Sequence, residues 1–229
     1  MDPYDGSIRK LSLGCRVTKV RGRGYVGMAA PVAPGDFAGK IAFYGVITCW
    51  WAFALTFVLR KREKQTRAIR RDPSSYLGLL VQAIAYFIIW FTPLRRREFV
   101  RAAGSEWVGW TIVVVSIALA AASVGLVVWA ARRLGKQWSL GARLVESHQL
   151  IQDGPYRFVR NPIYTGMFGM LIATGLVITN WGALLAAVFL FALGTWFRVR
   201  SEERLLRDAF PTEFEEYARR VPALIPGIY

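Results

Sequence analysis

Long apolar runs broken by short basic loops set the pattern of this chain. A membrane-crossing helix needs about 20 mostly apolar residues, and its backbone must satisfy its own hydrogen bonds. Five segments meet or approach that requirement. They run from Ala38 to Leu59 ("AGKIAFYGVITCWWAFALTFVL"), Tyr76 to Leu94, Trp107 to Ala131, Ile163 to Ile178 and Trp181 to Phe197. Only Thr179-Asn180 separates the last two, which predicts a tight helical hairpin. The expected class is all-α: a polytopic membrane bundle of about five transmembrane helices, with a cytoplasmic C-terminal helix. Three regions follow: a basic arm over 1–37, helices one to three over 38–131, and a polar, chemistry-bearing region over 132–229. The arm lacks the apolar stretch that follows the basic start of a signal peptide, so none is expected there. A mobile or surface-lying element is expected instead.

Charge sharpens this picture. The chain carries 30 Lys and Arg against 15 acidic residues, for a net charge of +15, while 54% of residues are hydrophobic. The basic residues gather at the ends of apolar runs, where lipid headgroups and topology account for them. Nucleic acid is therefore not an expected partner, and membrane lipid is. Loops after the odd-numbered spans hold most of the Lys and Arg, which places the C-terminus in the cytoplasm. The "LRRRE" loop after span two is basic and lies on the opposite side. Cys15 and Cys49 lie in different environments, so no disulfide is expected. With His148 as the one histidine, multi-histidine metal chemistry is excluded.

Two polar regions flank the final pair of spans on the expected cytoplasmic side. "GPYRFVRNPIYTG" (Gly154–Gly166) opens on a Gly-Pro turn signal. Pro162 suits the first turn of a helix and holds Asn161 in an extended conformation. Asn161 is then a candidate N-cap, its amide oxygen aimed at free N–H groups. Arg157 and Arg160 add positive charge, and Tyr156 and Tyr164 add aromatic faces. Ordinary interfacial anchoring is the plainer use of such residues. The second region, "RVRSEERLL", follows span five. On a continuing helix Arg198 and Glu202 are i, i+4 neighbours and can pair, while Glu203 points about 100° away, freer to meet a ligand. Leu205, Leu206 and Phe210 form an apolar stripe, as do Phe214 and Tyr217. Gly175, Gly182 and Gly194 are expected to permit close helix packing.

Taken in order, "LGKQWS", "HQLIQDGPYRFVRNPIYTG", "TN", "RSEERLL", "FPTEFEEYARRV" and "LIP" resemble the isoprenylcysteine carboxyl methyltransferase family and its phospholipid N-methyltransferase relatives. The likeness covers roughly residues 134–226. It implies a membrane-embedded enzyme that uses S-adenosyl-L-methionine and methylates a lipophilic or lipid-linked acceptor. Carboxylate leads as the acceptor group, ahead of amine or thiol; a non-catalytic scaffold of the same fold is the alternative. By motif position the resemblance places His148, Leu150, Gly154, Tyr156, Arg160, Asn161, Pro162 and Tyr164 around the cofactor, with Glu202 and Glu203 holding its ammonium group or shaping the pocket. Arg198 and Glu203 resemble the family's Arg and Glu at the reacting end. Asn161 occupies the position where the family usually has His. No metal is implied.

Overall fold

The computed structural model describes residues 34–61, 68–92, 106–137, 143–145 and 149–225. The expected mobile or surface role of the arm (through residue 33), the "LRRRE" loop and His148 lie outside the described residues. Six helices are seen among those described: α1 (Pro34–Lys61), α2 (Ser74–Phe91), α3 (Glu106–Leu134), α4 (Pro162–Ile178), α5 (Trp181–Ala209) and α6 (Pro211–Arg220). α1, α2, α3 and α5 are long and apolar enough to cross a membrane. α4 is apolar but shorter, at 17 residues. The molecule is a polytopic helical membrane protein.

Helix ends follow local chemistry. α2 stops at Phe91 because Thr92, which precedes a proline, is extended (φ −65°, ψ 114°). α5 outruns its apolar stretch and continues to Ala209. Its extension, rich in Arg, Glu and Leu, contains good helix formers and no breaker until Pro211. There Phe210 leaves the helical region and Pro211 begins α6. Asn180 caps α5 by accepting from the Ala183 N–H at 2.9 Å.

α4 occupies the middle, touching α1, α2, α3 and α5. The α4–α5 turn is as short as expected, yet each helix packs mainly elsewhere: α4 on α3, and α5 on α2. Small residues explain why. A Cβ on Gly169 would lie 2.2 Å from Ser123 Oγ of α3, and one on Gly166 would lie 2.5 Å from Val127 Cγ2. Gly194 of α5 and Gly78 of α2 face each other just as closely. In lipid, where apolar burial no longer drives helices together, such close backbone approach is a principal source of cohesion. Gly175 also packs tightly, against Leu184, as expected. Gly182 does not: a Cβ there would meet only Asn180 Oδ1 at 3.5 Å, an ordinary contact, because it sits in the exposed first turn of α5. Polar groups inside the bundle are mostly paired. Trp50 Nε1 donates to Thr174 Oγ1 (3.0 Å), Tyr86 OH to Met167 O (2.7 Å) and Gln82 Nε2 to Thr195 Oγ1 (2.7 Å). Trp50 and Trp90 pack edge to face inside this core, whereas Trp51 faces outward.

One element escaped the hydropathy pattern. β1 (Ala68–Arg71) and β2 (Arg143–Val145) form a short antiparallel ladder. It ties the loop after α1 to the loop after α3, so both lie at one end of the bundle. Asp72 brings the start of α2 to the same end. Its carboxylate accepts from Ser74 N (2.9 Å) and Ser74 Oγ (2.6 Å) and lies 3.8 Å from Arg204 of α5. The Ser74 hydrogen bonds, with Arg204 adding to them, hold its carboxyl below the usual carboxylate range. A carboxyl lowered on folding stabilises the fold above its unfolded pKa and loses that contribution as pH falls through the folded one. Thermal unfolding in detergent should therefore show wild-type stability dropping below about pH 4, with a shallower drop in Asp72→Asn. Parallel curves for the two proteins would remove Asp72 from the account.

Candidate functional site

The end of the bundle that holds the ladder is closed by a strap. A 3-10 turn, Gly154–Arg157, opens on Gly154 at φ +61°, a conformation that favours glycine. Its Pro155 and Tyr156 are buried. The chain then meets the tail that follows α6. Arg160 N donates to Pro222 O (2.9 Å), Asn161 N to Ala223 O (3.1 Å) and Thr165 Oγ1 to Leu224 O (2.6 Å). Asn161 does precede α4, with Pro162 in the first turn, but its side chain does not cap the helix. Its Nδ2 donates to Ala223 O at 3.1 Å instead. The tail carbonyl takes up the amide that the sequence pattern assigned to helix capping. Behind the strap, Phe214, Tyr217 and Val221 pack with Leu150, Leu206 and Phe210. Tyr217 OH donates to Tyr156 O at 2.6 Å.

Charged groups divide into two clusters. In the first, Arg160 Nε donates to Glu203 Oε1 at 2.9 Å. Its Nη1 donates to Ala218 O (2.9 Å) and to Val221 O. Glu203 is only 8% exposed and also lies 3.7 Å from Arg207. The helical repeat does turn it away from Arg198, but it is not the freer of the two acids, because Arg160 reaches across from the strap to hold it. In the second cluster Arg198 and Glu202 pair at 3.6 Å with the expected i, i+4 spacing. Arg198 Nε donates to Tyr164 OH (2.8 Å) and its guanidinium stacks 5.1 Å from the Tyr164 ring. Tyr164 OH donates in turn to Glu202 Oε1.

A cleft opens beside the first cluster. Its cavity volume is about 70 Å³, inside about 410 Å³ of empty space that includes its open mouth. Of the residues the sequence pointed to, Leu150, Tyr156, Arg160, Asn161 and Glu203 line it. Gly154, Pro162, Tyr164, Glu202 and Arg198 do not; the last two join Tyr164 in the neighbouring cluster. Gln149, Ile151, Leu206, Phe214 and Tyr217 also line the cleft. The Phe214–Tyr217 spacing marked an apolar stripe, but nothing in it told a pocket wall from a lipid-facing surface. Burial pushes the Tyr156 and Tyr217 phenols above their usual range. Both therefore present neutral rings at physiological pH.

Residues 111–213 match the phospholipid methyltransferase family model. The match begins inside α3 and ends in α6, so it contains the strap before α4 and both charged clusters. Nickel-cobalt-cadmium resistance protein NccN of Alcaligenes xylosoxydans xylosoxydans is 33% identical over 115 residues, which is 49% of this chain and 53% of that protein. Protein-S-isoprenylcysteine O-methyltransferase of Schizosaccharomyces pombe is 34% identical over 87 residues, 36% of this chain and 35% of the enzyme. Its counterpart in Saccharomyces cerevisiae is 37% identical over 83 residues, 35% of this chain and 34% of the enzyme. Over these stretches the chain is similar to phospholipid methyltransferases and to protein-S-isoprenylcysteine O-methyltransferases. It spans between a third and about half the length of these relatives.

Arg160 ties the strap, α5 and the end of α6 together at this end of the bundle. Arg160→Ala leaves the Glu203 carboxylate with Arg207 alone and unpairs the carbonyls of Ala218 and Val221, a cost on the order of 3 kcal/mol by analogy with broken buried pairs. We expect a lower Tm and faster tryptic cleavage after Arg220, read by mass spectrometry. Arg160→Lys should fall between, since an ammonium cannot span the same partners with a planar fork. Wild-type cleavage kinetics in Arg160→Ala would show that the tail docks without it.

Proposed function

We propose that the protein is an S-adenosyl-L-methionine-dependent methyltransferase acting on a lipophilic acceptor, foremost a carboxylate of the isoprenylcysteine type. The observation that carries this reading is the Arg160–Glu203 pair on the wall of an aromatic-lined cleft, inside the stretch that matches methyltransferases.

The lining suits the cofactor chemically. Tyr156, Phe214 and Tyr217 offer aromatic faces for a purine or a sulfonium. The Arg160 guanidinium suits a carboxylate, and Glu203 an ammonium. In volume the cleft is small beside the roughly 300–1,000 Å³ of pockets that hold cofactors. Binding therefore requires its walls to part, and the docked tail and α6 are the wall held by the fewest elements. When bound, the cofactor supplies an activated methyl group on sulfur. The protein's share is then placement and dryness. Arg198 orients an acceptor carboxylate, with Tyr164 and Glu202 fixing the guanidinium. A carboxylate acceptor needs no base, so Glu203 need not take a proton. The acceptor approaches from lipid and the water-soluble cofactor from the cytoplasm, in the orientation that the charge bias of the loops favours.

Asn161 in place of the family histidine fits this division. Its side chain donates to Ala223 O, a task that a neutral imidazole N–H can also perform. Asn161→His should keep transfer within about threefold and the tail protected from trypsin, whereas Asn161→Asp, which cannot donate when ionised, should lose both. An inactive Asn161→His would mean that the side chain does more than hold the tail.

The decisive measurement is thermal unfolding with S-adenosylhomocysteine. Binding to the folded state alone raises Tm in proportion to the logarithm of ligand over Kd. Labelled methyl transfer to N-acetyl-S-farnesylcysteine then tests the acceptor. No Tm rise at millimolar ligand would sink the enzyme reading. Binding without transfer to this thioether acid would retire the acceptor class alone.

A further inference from the structure

We infer that Gly78 of α2 is a positioning residue for Arg198, so that a helix outside the region matched to methyltransferases helps set the acceptor side of the site. The inference rests on the proposed role of Arg198. α2 covers 74–91, and the family match begins at residue 111.

The geometry is specific. A Cβ on Gly78 would lie 2.5 Å from Arg198 Cγ and 2.6 Å from Gly194 O. Arg198 Cγ is the root of the side chain, with little freedom to yield. The stem of Arg198 therefore runs across the bare backbone of α2, and that path delivers its Nε to Tyr164 OH on α4. Arg198 is 4% exposed. Its stem thus lies between α2 on one side and the Tyr164–Glu202 pair on the other. The crossing is locked one turn further along, where Gln82 Nε2 donates to Thr195 Oγ1 at 2.7 Å. A Cβ on Gly194 would come within 2.7 Å of Gly78 O, so the two backbones meet at this point. A methyl group at position 78 must push the Arg198 stem, the α5 backbone, or both. Either displaces the guanidinium from Tyr164, while the Arg160–Glu203 cleft keeps its own partners on the strap.

The test is a double-mutant cycle of Gly78→Ala and Arg198→Ala on the full chain in detergent. It is read by thermal unfolding, and by kcat and KM for methyl transfer from S-adenosylmethionine to N-acetyl-S-farnesylcysteine. Gly78→Ala should lower kcat roughly ten- to hundredfold, as misplacement of about an ångström does. KM for S-adenosylmethionine should stay within about twofold, a split that a general loss of packing would not produce. The Tm loss caused by Gly78→Ala should shrink in the Arg198→Ala background, where no Cγ remains to be struck. Equal Tm losses in both backgrounds, or a wild-type kcat in Gly78→Ala, overturn the inference. If Gly78→Ala alone does not fold, the double variant, relieved of one of its two close contacts, should recover measurable folded protein; no recovery counts against the inference. A wild-type protein that neither binds S-adenosylhomocysteine nor transfers methyl overturns the methyltransferase reading instead, and the thermal cycle still reports the Gly78–Arg198 contact.

Discussion

A guanidinium and a carboxylate taken out of water need each other and further hydrogen bonds, or the fold that holds them costs several kcal/mol. Arg160 and Glu203 meet that condition only when three segments converge: the strap before α4, the polar extension of α5 and the tail after α6. The same convergence solves a second problem. The last carbonyls of α6 have no partner within their helix, and Arg160 takes that of Ala218 together with the Val221 carbonyl just past the helix end. The backbone N–H groups of Arg160 and Asn161, just before α4, are taken by the carbonyls of Pro222 and Ala223. Two chain segments, each incomplete alone, thus supply one another's missing hydrogen bonds, with the ion pair at their centre.

That arrangement gives the candidate site its two-sided character. One cluster, Arg160 with Glu203, borders a cleft walled by Tyr156, Phe214 and Tyr217. The other, Arg198 with Tyr164 and Glu202, lies on the α2 side of α5. α5 carries both because Glu202 and Glu203 are consecutive, and a helix turns consecutive side chains about 100° apart. Under the proposed reading, a water-soluble methyl donor and a lipid-borne acceptor would use this division, with separate approaches meeting at one helix. The short central helix contributes as well. At 17 residues α4 is about 25 Å long, less than the roughly 30 Å hydrocarbon core, and its first turn carries Tyr164 of the second cluster.

Glycine packing couples this chemistry to the bundle. Gly166 and Gly169 seat α4 on α3, and Gly78 and Gly194 seat α5 on α2. α4 carries Tyr164 and α5 carries Arg198, so the relative position of these two groups is set through two glycine crossings, with modest direct contact between their own helices.

The sequence by itself determined what depends on neighbours along the chain. Runs of apolar residues fixed the helices, because a backbone in lipid must bond within its own segment. Pro162 and Pro211 fixed two helix starts, and the four-residue spacing fixed the Arg198–Glu202 pair. Tertiary structure decided what depends on groups distant in sequence. Arg160 and Glu203 are 43 residues apart, and nothing local says that they meet. The partners of Asn161 and Arg160 include tail carbonyls, and since every residue has a carbonyl, no residue pattern can mark those chosen. The same holds for Phe214 and Tyr217, whose spacing gives an apolar face but not what covers it, and for Gly78, whose use appears only when Arg198 lies across it. Chemistry along a helix is written in residue types, whereas the pairing of backbone with side chain across a bundle is set by where the helices come to rest.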